Sequence, residues 1–237
     1  MLDAPVNAYT WTLGSLTVAV FAYRSWRTYK ATKNPLAHIY FWLCTGLSSA
    51  FLVFGLPAIL TANIGILRYT YVMADTLVQL TLQVETWLLW FIGLRNNIRL
   101  KTLIMMTSAY SLILIAIEST TSKVAISQSP HLVVYSDIPT VLIMKSIIYI
   151  AIALPLGYFF LRQVPKQTNL QAKVRLLFSA LSFITISLAA TSNNIFDNGS
   201  DTIQSTTILA GFFAVLLIAV LLPSPKQTPG SRPTISR

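Results

Sequence analysis

Charge is scarce in this chain. Lysine, arginine, aspartate and glutamate together make up 10% of its 237 residues, and only seven residues are acidic. Soluble domains carry roughly 25% charged residues, so this chain lacks the polar surface that would cover a globule in water, and much of its surface must face lipid. Cysteine is scarcer still. The single Cys44 lies within an apolar run, which excludes an intrachain disulfide and leaves the redox compartment unread. The only histidines are His38, at the edge of an apolar run, and His131, in a loop, so no histidine pair can hold haem or zinc inside a membrane. HExxH, P-loop and GxGxxG patterns are all missing. Gly46-Leu47-Ser48-Ser49 touches the pattern of a membrane serine protease but lacks its last glycine, and no histidine lies at a suitable depth. No nucleophile and base converge, so the expectation is a protein that is not an enzyme and carries no cofactor or metal. Met1-Leu2-Asp3-Ala4-Pro5 has no basic n-region, and the first apolar segment is expected to be retained.

Long hydrophobic runs are what the chain has in abundance, with 54% of residues apolar. A helix needs about 20 apolar residues to cross roughly 30 Å of hydrocarbon at about 1.5 Å per residue. Seven stretches qualify: Tyr9–Tyr23, Leu36–Leu60, Tyr69–Leu94, Thr102–Ile117, Pro139–Leu161, Val174–Thr191 and Ile203–Leu222. They are too long for barrel strands and do not alternate polar with apolar, so helix is the expected state. The fourth has the shortest apolar core, ended by Glu118. The expected fold is an all-α integral membrane bundle of seven helices, residues 1–223, followed by a short disordered cytoplasmic tail, residues 224–237, rich in Pro, Ser and Thr.

Orientation follows from the cations. The connections after the first, third and fifth stretches, with the tail and Arg175 at the very start of the sixth stretch, hold fourteen of the seventeen basic residues and none of the acidic ones. Arg24, Arg27, Lys30 and Lys33 lie in the first of these, and Arg95, Arg99 and Lys101 in the second. Basic loops stay cytoplasmic, which places the N-terminus outside, the C-terminus inside and the chain in the cell membrane. These residues are expected to meet anionic headgroups, at about 1 kcal/mol per cation near the surface, or a protein partner. The net charge of +10 is thus read as topology, not as an RNA- or DNA-binding surface. On the outer side, the connection Glu118–Ile138 is apolar enough around residues 131–135 to dip into the interface. Asn198-Gly199-Ser200 fits a glycosylation acceptor.

Ionisable residues inside spans cost roughly 2.5–3.5 kcal/mol each at the helix centre on insertion scales, so they point to function. Three qualify: Asp75, Glu85 and Lys145. Asp75 lies about 10 Å and Lys145 about 12 Å below the same boundary by the helical rise, which predicts a salt bridge between the third and fifth helices. Two outcomes are open: a ligand- or ion-linked pair, or a packing lock, with outward snorkelling of the lysine as the trivial alternative. Asp75, Gln79 and Gln83 recur at i, i+4 and i+8, forming one polar stripe that must face the bundle interior. Glu85 heads a neighbouring face with no basic residue at its depth, and is either proton-linked or a neutral acid bonded to a hydroxyl. Pro57 and Pro155 sit beside Gly55 and Gly157, where proline can kink a helix. A faint likeness between Leu43–Ser48 and Leu177–Ser182 would suit a repeated three-plus-one-plus-three plan, although small hydroxylated residues line membrane helices generally.

Three functional classes fit. The leading one is a receptor-like sensor that binds a small ligand, or senses the membrane, within the bundle and signals through a separate cytoplasmic partner. The second is a proton- or ion-coupled small-solute transporter using Asp75, Glu85 and Lys145. The third is a structural subunit of a membrane complex.

Overall fold

In a computed structural model of the chain, residues 5–184 are described, apart from 129–130, 169, 171–172, 175, 178 and 182. Five long helices run in alternating directions: α1 (Val6–Thr32), α2 (Pro35–Leu60), α3 (Ile64–Leu89), α4 (Leu100–Thr121) and α5 (Pro139–Gln163). A π-helical turn, Trp90–Leu94, continues α3. Between α4 and α5 stands an antiparallel hairpin of β1 (Lys123–Gln128) and β2 (His131–Ser136), with Lys123 opposite Ser136 and Ile126 opposite Val133. Four helices are long and apolar enough to cross a membrane: Pro35–Leu60, Ile64–Leu94, Leu100–Thr121 and Pro139–Lys166. The protein is thus a helical, multi-pass membrane protein by length and composition.

The boundaries follow from local chemistry. Lys33 adopts the left-handed conformation at φ 54° and ends α1, and its N–H bonds back to Tyr29. Asn34 then caps α2 by accepting from Leu36 N at 2.9 Å, with Pro35 in the first helical position. Asn63 caps α3 in the same way, accepting from Gly65 and Ile66. Pro57 and Pro155 lie inside α2 and α5 without ending either helix.

Several expected boundaries move. The first span was expected to stop at Tyr23, but α1 continues for nine further residues because nothing before Lys33-Asn34-Pro35 breaks it. Arg24, Arg27 and Lys30 therefore lie on a helix and not in a loop, and α1 is not among the four helices apolar enough to cross. The third helix begins at Ile64, so Arg68 is helical, and its guanidinium donates to the carbonyl oxygens of Ser119 and Thr120 near the end of α4. The fourth helix runs past Glu118 to Thr121. The connection expected to dip into the interface is a hairpin turned back on the helices, with Val133 buried against Ala8, Ala58 and Leu67.

The core lies between α2, α3 and α5, built from Ile39, Leu43, Leu82, Leu88, Ile148, Ile152 and Leu156. Helical residues between 170 and 184 join it through Ala180 and Phe183, whose ring stacks on Phe160 at 5.7 Å. Gly157 permits that approach: a Cβ there would lie 2.7 Å from Ile184 Cγ1. The rest of the expected sixth span, the seventh span, the glycosylation triplet, the tail and part of the faint repeat lie outside the described residues.

Because neighbouring helices are antiparallel, the bundle has two unlike ends. Arg24, Arg27, Lys30, Lys33, Arg95, Arg99, Lys101, Arg162 and Lys166 gather at one, all exposed. The hairpin, Arg68 and Lys123 mark the other.

Candidate functional site

Lys145 is buried at the hairpin end, only 5% exposed, and it does not snorkel. Its ammonium donates to Glu118 Oε1 at 2.7 Å, to Asp137 Oδ2 at 2.8 Å and to the Tyr71 hydroxyl at 3.1 Å. Asp75 Oδ1 completes the group at 3.4 Å, as an ion pair without a hydrogen bond. The predicted pairing of Asp75 with Lys145 is therefore present, but it is the loosest of three. Tyr71 donates in turn to Asp137 Oδ2 at 2.6 Å. Helices α3, α4 and α5 and the residue just beyond β2 each supply one charged group.

Electrostatics makes this cluster unusual. An ammonium has three N–H donors, and Glu118, Asp137 and Tyr71 use all of them. One cation faces three carboxyl groups. Two ionised carboxylates about 4 Å apart repel by about 4 kcal/mol at an effective dielectric near 20. Asp75 Oδ2, Glu118 Oε2 and Asp137 Oδ1 are all buried without a hydrogen-bond donor among the described residues.

Aromatic rings cover the cluster. Tyr135 of β2 stacks on Tyr71 at 4.6 Å and 9° between planes. Phe54 lies 5.9 Å from Tyr71 and 6.1 Å from Tyr135, and Trp11 lies 5.7 Å from Tyr135. Burial pushes ionisation of the Tyr135 hydroxyl above the usual phenol range, so the group stays neutral. Asn7 anchors the strand: its side chain donates to Val133 O at 2.7 Å and accepts from Val133 N at 3.3 Å, as a third strand would.

The polar stripe of α3 faces inward as expected, and its use is visible. Gln79 Oε1 accepts from Ser111 at 3.1 Å, and Gln83 Oε1 accepts from Thr107 at 2.7 Å and Ser108 at 3.2 Å. Gln79 and Gln83 thus join α3 to α4, while Gln79 Nε2 has no partner among the described residues. Glu85 is also buried. It stands apart from the Lys145 cluster, with no ion pair among the described residues.

At the basic end the cations lie over rings: Lys30 over Trp26 at 4.8 Å, Lys33 over Tyr29 at 5.5 Å and Arg27 over Tyr23 at 6.0 Å. Tyr29 stacks on His38, which accepts from Trp42 Nε1 at 3.0 Å. Trp90 donates to Ile98 O at 2.7 Å and so pins the turn carrying Arg95 and Arg99. No group of acids, histidines and cysteines among the described residues is arranged to hold a metal.

No protein-family model matches this chain, and no curated protein matches it either. Its reading rests on its own residues. Two of the cluster's four charged members, Glu118 and Asp137, do not stand out in the sequence because each sits where an apolar run ends. No local signal marks either one: Glu118 lies three residues inside the end of α4, where a carboxylate could as well reach water.

Proposed function

We propose that this chain is a receptor-like sensor of the cell membrane. It has seven spans with its N-terminus outside, carries its responsive element at the outer, hairpin end and signals through a separate cytoplasmic partner at the basic end. The observation that carries this reading is the convergence of one buried lysine of α5 on acids from α3, α4 and the hairpin connection. A group that enters or leaves such a cluster acts on every element at once. The distribution of cations supports the orientation, and the exposed Arg24, Arg27, Lys30 and Lys33, with Arg95, Arg99 and Lys101, offer a surface for anionic headgroups and a partner. A second reading, a proton-coupled transporter, draws on the polar file from Asp75 through Gln79 and Gln83, with Ser111 and Thr107 beside it.

A reporter at the basic end separates the two. In a Cys44→Ser background, the exposed Asn97 is replaced by cysteine and labelled with an environment-sensitive fluorophore, and the protein is placed in lipid nanodiscs. The sensor reading expects Lys145→Met to change the reporter's emission while helicity is retained. Unchanged emission would overturn it. Proton flux across proteoliposomes that stops with Asp75→Asn would install the transporter in its place.

A further inference from the structure

We propose that the face of α1 turned away from α2 is a binding site for an anionic phospholipid of the cytoplasmic leaflet. Arg24 and Arg27 hold its phosphate, and an acyl chain lies along Val20, Leu16 and Leu13. The inference deepens the proposed contact of the basic end with headgroups and rests on that end facing the cytoplasm; it does not depend on the Lys145 cluster.

Helix α1 has two unlike faces. One lies on α2: Ser15 Oγ donates to Ser48 O at 2.8 Å, the Trp26 ring sits 4.9 Å from Phe41, and Tyr29 stacks on His38 at 4.5 Å. The other face is exposed from Tyr9 to Arg27. Tyr9, Leu13, Leu16 and Val20 follow one another at steps of four, three and four residues, which sets them in a single row along a helix, and all four are exposed. The next steps of that row reach Tyr23 and Arg24, and then Arg27, which are exposed too. An apolar row thus ends in two cations on the same side of one helix.

Depth decides what meets those cations. The contacts of Trp26 with Phe41 and of Tyr29 with His38 set the register between the two antiparallel helices, and that register brings Arg24 level with Leu43 and Arg27 level with Tyr40. Both levels fall within Pro35–Leu60, a helix apolar enough to cross a membrane. The two guanidinium groups therefore leave the helix within the thickness of the membrane and extend to the headgroups, as long basic side chains do. The Arg27 guanidinium lies over the Tyr23 ring at 6.0 Å. No acidic residue stands between Asp3 and Asp75 in the chain, and the ion pairs among the described residues all belong to Lys145. At that depth the anion at hand is a lipid phosphate, which a guanidinium holds through paired N–H donors. One leaflet of hydrocarbon is about 15 Å deep, or about ten residues of helix. A chain hanging from Arg24 thus passes Val20 and Leu16 and ends near Leu13. A second copy of this protein suits the face less well. A two-fold axis along the membrane normal would set Arg24 and Arg27 against the same cations of the other copy.

The test places a fluorophore on Leu16→Cys in the Cys44→Ser background of the full chain, in phosphatidylcholine nanodiscs. The quencher is a small fraction of lipid spin-labelled on its acyl chain, added either as phosphatidylserine or as phosphatidylcholine; the ratio of the two cancels the depth of the fluorophore. Phosphatidylserine is expected to associate at least about fivefold better, since each cation near an anionic surface is worth roughly that factor. Arg24→Gln or Arg27→Gln alone lowers the preference part-way, the two together remove it, and Lys at both positions retains most of it. A fluorophore on Ile113→Cys, exposed on α4, reports a ratio that none of these substitutions moves. Equal quenching by the two lipids at Leu16, or a preference that survives the double Gln variant, overturns the site. Self-quenching between Leu16 labels on two copies in one disc also overturns it and gives the face to a second copy. The Asn97 reporter keeps the readings apart. A lipid preference beside Asn97 emission that ignores Lys145→Met leaves the lipid site without the sensor; equal quenching beside a responsive Asn97 leaves the sensor without the lipid site.

Discussion

Asn7 and Val133 are 126 positions apart and are joined by two hydrogen bonds, one in each direction. A side-chain amide presents a donor and an acceptor side by side, as a backbone peptide does, so Asn7 closes the open edge of β2 where that strand meets α1. Replacing it with alanine would leave the Val133 N–H and C=O buried and unpaired. The expected cost is about 1–3 kcal/mol. Thermal unfolding in detergent should register it, and amide exchange at Val133 should accelerate. Asn7→Asp, which keeps an acceptor but cannot donate when ionised, should be no better than alanine.

Removing Lys145 should be severe. Breaking a buried pair by deleting one partner typically costs about 3–5 kcal/mol, and here three acids lose their cation. Lys145→Met is expected to unfold at markedly lower denaturant than wild type. Adding Glu118→Gln to it should restore part of the loss, because fewer like charges remain. The coupling in that double-mutant cycle should lie within about 0.5–3 kcal/mol; strict additivity would contradict the contact at 2.7 Å.

Gly93 lies in the π-helical turn that continues α3, and a Cβ there would collide with the Phe159 ring. Gly93→Ala should therefore destabilise by about 1–3 kcal/mol through overpacking. Shrinking the obstacle with Phe159→Leu in the same chain should recover most of it. Equal instability of the single and double variants, measured by denaturation in detergent, would show that the ring is not the cause.

Topology can be read by labelling single cysteines in the Cys44→Ser background with a reagent that cannot cross the membrane. Lys123→Cys, on the hairpin, should react from outside and Asn97→Cys from the cytoplasm. Lys226→Cys should also react from the cytoplasm if seven spans are present. Reaction of Asn97→Cys and Lys226→Cys from opposite sides would leave an odd number of crossings between them and rule out the proposed orientation of the tail.

What the amino-acid sequence determined by itself was one-dimensional. Helical rise is nearly constant, so the apolar run lengths implied membrane helices, and the matched depths of Asp75 and Lys145 implied that they would meet. Helical periodicity put Asp75, Gln79 and Gln83 on one inward face, because a polar stripe facing lipid is too costly. Run length misjudged α1, whose cations extend a helix that was expected to stop at Tyr23.

Tertiary structure decided whatever depended on which way a boundary residue turns. Near the end of a span a charge can reach water cheaply, so Glu118 and Asp137 gave no sign in the sequence that both would turn inward to Lys145. Only the packing of α3, α4 and α5 removes that water and makes the ammonium their better partner. The same holds for Asn7: its pairing with Val133 depends on the hairpin folding back against α1, and nothing local to either residue encodes it.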